Sequence, residues 1–126
     1  MAKQKVLVPF FHRAGTKLVC DICPRHCELK EGQTGICMGR QVVDNELIAT
    51  NYAQCVAIHH DPIEKKPLFH VLPGNGILSV GANGCNLTCK WCQNCEISQQ
   101  RVPAEKCNLA ELSQRSVQGD SVGLAY

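Results

Sequence analysis

Long apolar runs are absent from this sequence. None of its stretches approaches the roughly 20 apolar residues that a membrane-spanning helix needs. The apolar run that begins at Val6 is interrupted by Pro9 and ends at Phe11, so it does not supply the apolar stretch of about 7–15 residues found in secretory signal peptides. We therefore expect a cytoplasmic protein with no membrane partner, in a compartment where thiols are kept reduced.

Excess charge and aromatic side chains are also scarce. Lys and Arg number 13 against 11 for Asp and Glu, so the formal net charge is only +2 at pH 7. Aromatic residues make up 5% of the chain, with one Trp and two Tyr. Proteins that bind nucleic acid usually combine a basic surface with aromatic residues that stack on bases. Nucleic acid is therefore not an expected partner.

Cysteine, by contrast, is abundant. The chain of 126 residues contains 10 cysteines, close to the share at which composition indicates disulfides or metal, about 8–10%. In a reducing compartment, clustered cysteines favour metal. Cys55 and Cys107 are isolated and are expected to be buried or free thiols. The others form a first group, Cys20, Cys23, Cys27 and Cys37, and a second group, Cys85, Cys89, Cys92 and Cys95.

The segment between the two groups predicts a hairpin followed by a loop. Two β-prone runs, 41–43 and 46–50, flank the polar pair at 44–45, as in a two-residue hairpin connection. Residues 61–73 contain three prolines and predict an extended loop. The predicted division is a four-cysteine module with its hairpin at 1–60, a linker loop at 61–76 and a third segment at 77–126.

The third segment predicts a βαβ unit. The apolar run 77–80 lies between glycines and predicts a buried strand. Asn108 and Glu111 form a pattern close to a capping box, so a helix is expected over about 109–118. An apolar strand at 122–126 then ends the sequence. Because a parallel unit needs further strands to cover both faces, it is expected to be part of a larger, truncated α/β domain.

Cys85, Cys89 and Cys92 follow the first of these strands with the spacing C-x3-C-x2-C. Three thiols in so short a loop can converge on one inorganic cluster, and thiolates suit iron–sulfur clusters, zinc and Cu(I). A cubane cluster held by three cysteines keeps one iron free for a small chelating molecule. Cys89, Cys92 and Cys95 have the spacing C-x2-C-x2-C, with which the bacterial ferredoxin motif begins. The Cys-Pro that continues that motif is missing from this sequence. The three-cysteine site is therefore favoured, with Cys95 as a neighbouring free thiol.

Three stretches together resemble one enzyme family. They are the loop 84–94, in which Trp91 precedes the third cysteine, the segment 61–70, and the pattern Cys20-x2-Cys23-Pro24-Arg25-x-Cys27. In these stretches the chain resembles radical S-adenosylmethionine (SAM) enzymes related to pyruvate formate-lyase activating enzyme, and in particular the AmmeMemoRadiSam-type branch. The resemblance extends over about residues 19–126 and corresponds to the N-terminal portion of such an enzyme.

The resemblance implies a fold, a cofactor and an activity. The implied fold class is α/β, with an N-terminal metal-binding module and β-hairpin followed by the first βαβ unit of a truncated partial (β/α)6 barrel. Cys85, Cys89 and Cys92 would hold a [4Fe-4S] cluster, and Trp91 and Asn86 would lie at the SAM site. The implied activity is reductive cleavage of SAM to a 5′-deoxyadenosyl radical, which abstracts hydrogen from a substrate such as a protein glycine. A flavodoxin- or ferredoxin-type protein would be the reductant.

The first group offers a second metal site. Cys20, Cys23, Cys27 and Cys37 supply four thiols, enough for a closed site. One interpretation is structural zinc, which would stabilise a small module, and the other is an auxiliary iron–sulfur cluster. Spacing alone does not separate them.

Two other function classes stay open. One is a small iron–sulfur electron-transfer protein in which all four thiols of the second group bind the cluster, and the other is a zinc-binding interaction module. His59, His60 and His70 provide a weaker hint of metal, because histidines near prolines are more often solvated or hydrogen-bonded.

Overall fold

The computed structural model describes residues 5–126, which form two compact units. The first unit contains residues 5–52 and 83–102, and the second contains residues 53–82 and 103–126. The segment 83–102 contains the second cysteine group and is called the cysteine loop below. It packs with the N-terminal part of the chain, although the strand and helix that flank it in sequence belong to the second unit. The predicted segment boundaries at 60 and 76 are not boundaries of these units.

Two small antiparallel sheets form the first unit. Strands β1 (Phe11–Ala14), β2 (Lys17–Cys20) and β3 (Glu28–Leu29) lie in that order in one sheet. Strands β4 (Arg40–Val43) and β5 (Glu46–Ala49) form a hairpin. A short helix, α1, covers Cys95–Ser98. The largest buried cluster of this unit contains Val8, Leu18, Cys20, Leu29, Val42 and Leu47.

The hairpin prediction is confirmed. Asp44 and Asn45 have φ angles of 54° and 58°, as the two central residues of a type I′ turn require. Asn and Asp tolerate this left-handed conformation better than other non-glycine residues. The turn fixes a register in which Val42 lies opposite Leu47, and both side chains are fully buried.

A three-stranded sheet and a helix form most of the second unit. Strand β6 covers Gln54–Cys55, β7 covers Ala57–Pro62 and β8 covers Gly76–Gly81. Strand β9 (Glu105–Lys106), helix α2 (Leu109–Gln118) and strand β10 (Ser121–Ala125) follow. In the sheet, β8 lies between β7, which is antiparallel to it, and β10, which is parallel to it.

The predicted βαβ unit is confirmed by β8, α2 and β10. The Asn108 side chain accepts a hydrogen bond of 2.9 Å from the Glu111 N–H, which satisfies one of the free donors at the start of α2. At the other end, the Gly119 N–H donates to the carbonyls of Arg115 and Val117. The larger barrel stays a prediction, because residues 53–126 contain this one unit alone.

The prediction of an extended loop over 61–73 is wrong at its start. Asp61 and Pro62 are the last residues of β7, and Ile63–Lys65 forms a single 3-10 turn. Pro62 is tolerated in the strand because β7 lies at the edge of its sheet, where a missing N–H need not break the ladder.

Cys55 and Cys107 are expected from the sequence to be buried or free thiols, and the structure shows that both are buried but that neither is a free thiol. The two residues form a disulfide, and their exposed fractions are 4% and 5%. Pairing of β6 with β9 places Cys55 opposite Glu105, and the Cys107 N–H donates to the Ala53 carbonyl over 3.1 Å. This backbone pairing brings together two cysteines separated by 52 residues.

Candidate functional site

Two residues close the cysteine loop at its base. The Asn83 side chain donates to the Val102 carbonyl over 2.7 Å and accepts from the Val102 N–H over 3.1 Å. The Gly84 N–H donates to the Ile97 carbonyl over 2.8 Å. Hydrogen bonds therefore hold both ends of the segment that carries the second cysteine group. The last of its cysteines, Cys95, is the first residue of α1.

Gly84 allows this loop to approach the first cysteine group. Its φ angle is +94°, in the region that glycine adopts most readily. A Cβ atom at this position would overlap the Cys37 carbonyl oxygen. Because a larger residue would force the two segments apart, glycine at position 84 brings Cys85 beside the first group.

The three thiols of the predicted cluster are partly buried. The Leu87 N–H donates to the Cys85 sulfur over 3.4 Å, and the Cys92 sulfur lies 3.3 Å from the Ser98 hydroxyl. The Cys92 N–H donates to the Cys89 carbonyl over 3.3 Å. Between residues 5 and 126, no three His, Cys, Asp or Glu side chains come close enough together to hold a metal ion.

The donor set of the loop nevertheless fits an iron–sulfur cluster by its chemistry. Residues 84–95 contain four cysteines, one lysine and no carboxylate, and thiolate is the ligand that such clusters use. An N–H that donates to a sulfur is a typical outer contact of a cluster ligand, and the Leu87 N–H already points at Cys85. Ligation of one cluster requires the three sulfur atoms to come closer together than they are in this structure.

Trp91 and Asn86, which are predicted to lie at the SAM site, have different surroundings. Trp91 is 85% exposed, so its ring offers a free face directly before Cys92. The Asn86 carbonyl accepts a hydrogen bond of 3.0 Å from the Arg25 side chain, and Arg25 lies between Cys23 and Cys27 in sequence. This bond is a second link between the cysteine loop and the first group. Cys95, at the start of α1, is exposed.

The four thiols of the first group line one cavity. Its volume is about 220 Å³, and Cys85 and Asn86 line it as well. Cys20 is buried at the end of β2, and its backbone N–H donates to the Cys27 carbonyl over 3.0 Å. Burial raises the pKa of the Cys20 thiol, and the negative charges of Cys23, Cys27 and Cys37 raise it further. These four residues therefore lie close enough to influence one another.

Arg40 is a member of this site that the sequence does not reveal. It begins strand β4 and lines the same cavity. The Arg40 Nη1 donates to the Gly39 carbonyl over 2.6 Å and to the Asn51 side chain over 3.2 Å. No local pattern identifies it, because it lies outside the cysteine motif and reaches the cavity through the pairing of the hairpin.

His59, His60 and His70 belong to no group of three possible metal ligands among residues 5–126. The His60 Nδ1 lies 2.8 Å from the Ser121 hydroxyl, so this ring is hydrogen-bonded, as expected. His59 and His60 lie on strand β7 rather than in a loop. His59 and His70 are exposed.

Asp61 is a charged centre that local sequence patterns do not single out. Its carboxylate accepts hydrogen bonds from Lys65 over 2.8 Å, from Lys66 over 3.2 Å and from the Ser79 hydroxyl over 2.6 Å. The bonds from Lys65 and Ser79 hold the pKa of Asp61 well below its usual range. The i, i+4 spacing of Asp61 and Lys65 is the one signal in the sequence that indicates this pair.

Comparison with known proteins identifies a longer relative. The chain is similar to an uncharacterized protein, MJ0808, of Methanocaldococcus jannaschii, with 38% identity over 113 residues. The match covers 87% of this chain and 34% of the relative, so the chain spans about a third of the relative's length. No family model matches the chain, and no solved structure matches it.

Over residues 5–126, no helix has both the length and the apolar composition needed to cross a bilayer.

Proposed function

We propose that this chain provides the cluster-binding part of a radical SAM enzyme related to pyruvate formate-lyase activating enzyme. The observation that carries the proposal is the position of the cysteine loop along the chain. The loop follows the C-terminal end of β8 and precedes α2 and the parallel strand β10. In α/β barrels, sites are built from the loops that follow the C-terminal ends of the parallel strands.

The side chains of the loop support the same proposal. Cys85, Cys89 and Cys92 are half-buried, whereas Cys95 is exposed. Three thiolates would bind three irons of a four-iron cluster and leave the fourth iron for the amino and carboxylate groups of SAM. The exposed ring of Trp91 would provide an apolar face for the adenine, and Asn86 would lie beside the bound SAM.

The cofactors would supply the difficult chemistry and the chain would position them. When bound, the reduced cluster supplies the electron for cleavage of the SAM sulfonium, and hydrogen is then removed from a substrate, which we propose to be a protein glycine. The residues of this chain bind the cluster, orient SAM and limit access of water. A flavodoxin- or ferredoxin-type protein is the proposed reductant, in the cytoplasm.

A pair of single substitutions tests whether the site has three thiol ligands. We expect Cys89→Ala to lower the iron content after anaerobic reconstitution by about four atoms per chain, because a four-iron cluster is lost. Cys95→Ala is the matched control and should retain the iron. Equal loss in both variants would favour an electron-transfer protein with four thiol ligands and would contradict an open site for SAM.

A further inference from the structure

Arg25 lies in a tight turn within the first cysteine group. The His26 N–H donates to the Cys23 carbonyl over 3.2 Å, so Pro24 and Arg25 are the two central residues of this turn. Proline is favoured at the first central position because its ring fixes φ at about −65°. The turn therefore gives the backbone at Arg25 a defined direction.

The Arg25 side chain contacts the cysteine loop. Its Nε–H donates to the Asn86 carbonyl over 3.0 Å, and Asn86 directly follows Cys85, the first proposed ligand of the loop cluster. Arg25 is exposed, so its side chain is not part of a buried core. A substitution at this position therefore removes the hydrogen bond without leaving a cavity.

Other hydrogen bonds hold the ends of the loop in the same unit. The Asn51 side chain donates to the Asn83 carbonyl over 3.3 Å, and the Arg101 Nη2 donates to the Met38 carbonyl over 2.8 Å. Neither bond depends on Arg25. Loss of the Arg25 bond should therefore leave the loop attached and free the backbone at one place, beside the first proposed cluster ligand.

We propose that Arg25 is a positioning residue for SAM, because its Nε–H holds the Asn86 carbonyl and so fixes the backbone beside Cys85 in the orientation that SAM binding requires. This role rests on the proposed function, in which Asn86 lies beside the bound SAM. A segment that is already ordered loses less conformational freedom when a ligand binds, so the bond increases the affinity for SAM. The turn of the first cysteine group has this role whichever metal its thiols bind.

A titration with SAM tests this role of Arg25. The reconstituted, reduced protein is followed by electron paramagnetic resonance as SAM is added. Arg25→Met removes the donor and keeps a long side chain. We expect this variant to retain the iron content and the far-ultraviolet circular dichroism of the wild type and to bind SAM about tenfold more weakly, as the loss of one hydrogen bond from a charged donor predicts. Unchanged affinity for SAM would overturn the proposal.

Arg25→Gln separates the hydrogen bond from the charge. The glutamine Nε2 lies the same number of bonds from the backbone as the arginine Nε, so it can donate to the same Asn86 carbonyl. We expect Arg25→Gln to bind SAM more tightly than Arg25→Met and close to the wild-type affinity. Equal weakening in the two variants would overturn the proposal, because the charge and not the hydrogen bond would then be responsible.

Arg13→Met is the matched control. Arg13 is also an exposed arginine of the first unit, and its Nη2 donates to a backbone carbonyl, that of Asn45, over 2.9 Å. Asn45 lies outside the cysteine loop, so Arg13→Met should bind SAM as the wild type does. Equal weakening in Arg13→Met and Arg25→Met would overturn the specific role of Arg25.

The wild-type titration separates this proposal from the proposed function. If the wild-type signal does not respond to SAM, the radical SAM function fails and the role of Arg25 fails with it. If the wild-type signal responds and Arg25→Met binds SAM equally well, the role of Arg25 alone fails.

Discussion

A single carboxylate, Asp61, ties the end of β7 to two lysines and a serine. Its side chain is only 12% exposed, and the hydrogen bonds from Lys65 and Ser79 lower its pKa. We expect Asp61→Asn to destabilise the protein at neutral pH, because both ion pairs are lost. The pKa of Asp61 is lower in the folded protein than in the unfolded protein, so its charge stabilises the fold at pH values above the unfolded-state pKa of about 3.9. This stabilisation is lost as the pH falls below that value towards the folded-state pKa.

Urea unfolding at a series of pH values checks this prediction. The stability difference between wild type and Asp61→Asn should be largest near neutral pH and should shrink as the pH falls below about 4. Asp120→Asn serves as the control, since Asp120 is exposed and its φ angle of 52° is one that asparagine adopts readily. A difference that is the same at every pH would contradict the role given to the carboxylate charge.

At the scale of the element, the start of α2 depends on one side chain. We expect Asn108→Ala to lower the free energy of unfolding by about 1 kcal/mol, within the range of 0.5–2 measured for such caps, because the Glu111 N–H loses its acceptor. Ser113→Ala, at an exposed position of the same helix, should cause no loss, since alanine is the better helix former. Denaturant unfolding followed by circular dichroism measures both. Equal effects in the two variants would contradict the capping role.

The cysteine loop depends in the same way on one glycine. We expect Gly84→Ala to cost about 1–2 kcal/mol from its left-handed backbone alone, with a further loss because the new Cβ would overlap the Cys37 carbonyl. Gly123→Ala is the control, because no atom lies within 4 Å of a Cβ added there. Unfolding curves and the iron content after reconstitution are the measurements. Retention of full stability and iron by Gly84→Ala would contradict the close approach of the two segments.

At the scale of the whole molecule, the sequence predicts those strands and helices whose positions depend on residues close together in the chain. The turn at Asp44 and Asn45 and the cap at Asn108 each depend on residues within a few positions, so the hairpin and α2 can be located from sequence. The strand at 77–80 is likewise recognised from its glycine boundaries.

The long-range features could not be predicted in this way. The Cys55–Cys107 disulfide joins residues 52 positions apart, and Arg40 reaches the cavity through the fold of the hairpin. The loop around Gly84 packs with the N-terminal hairpins, although β8 and α2 flank it in sequence. Spacing alone identifies the cysteine groups, whereas the placement of Cys85 in the same cavity as the four thiols of the first group depends on tertiary packing.

Electron paramagnetic resonance of the reconstituted, reduced protein, recorded with and without SAM, is the most direct test of the proposed enzyme. We expect a reduced four-iron signal that changes when SAM is added, because one iron of the loop cluster has no protein ligand. The change should be missing in Cys89→Ala, because this variant lacks one of the three thiols that we propose bind the loop cluster. A wild-type signal that is identical with and without SAM would contradict the radical SAM function.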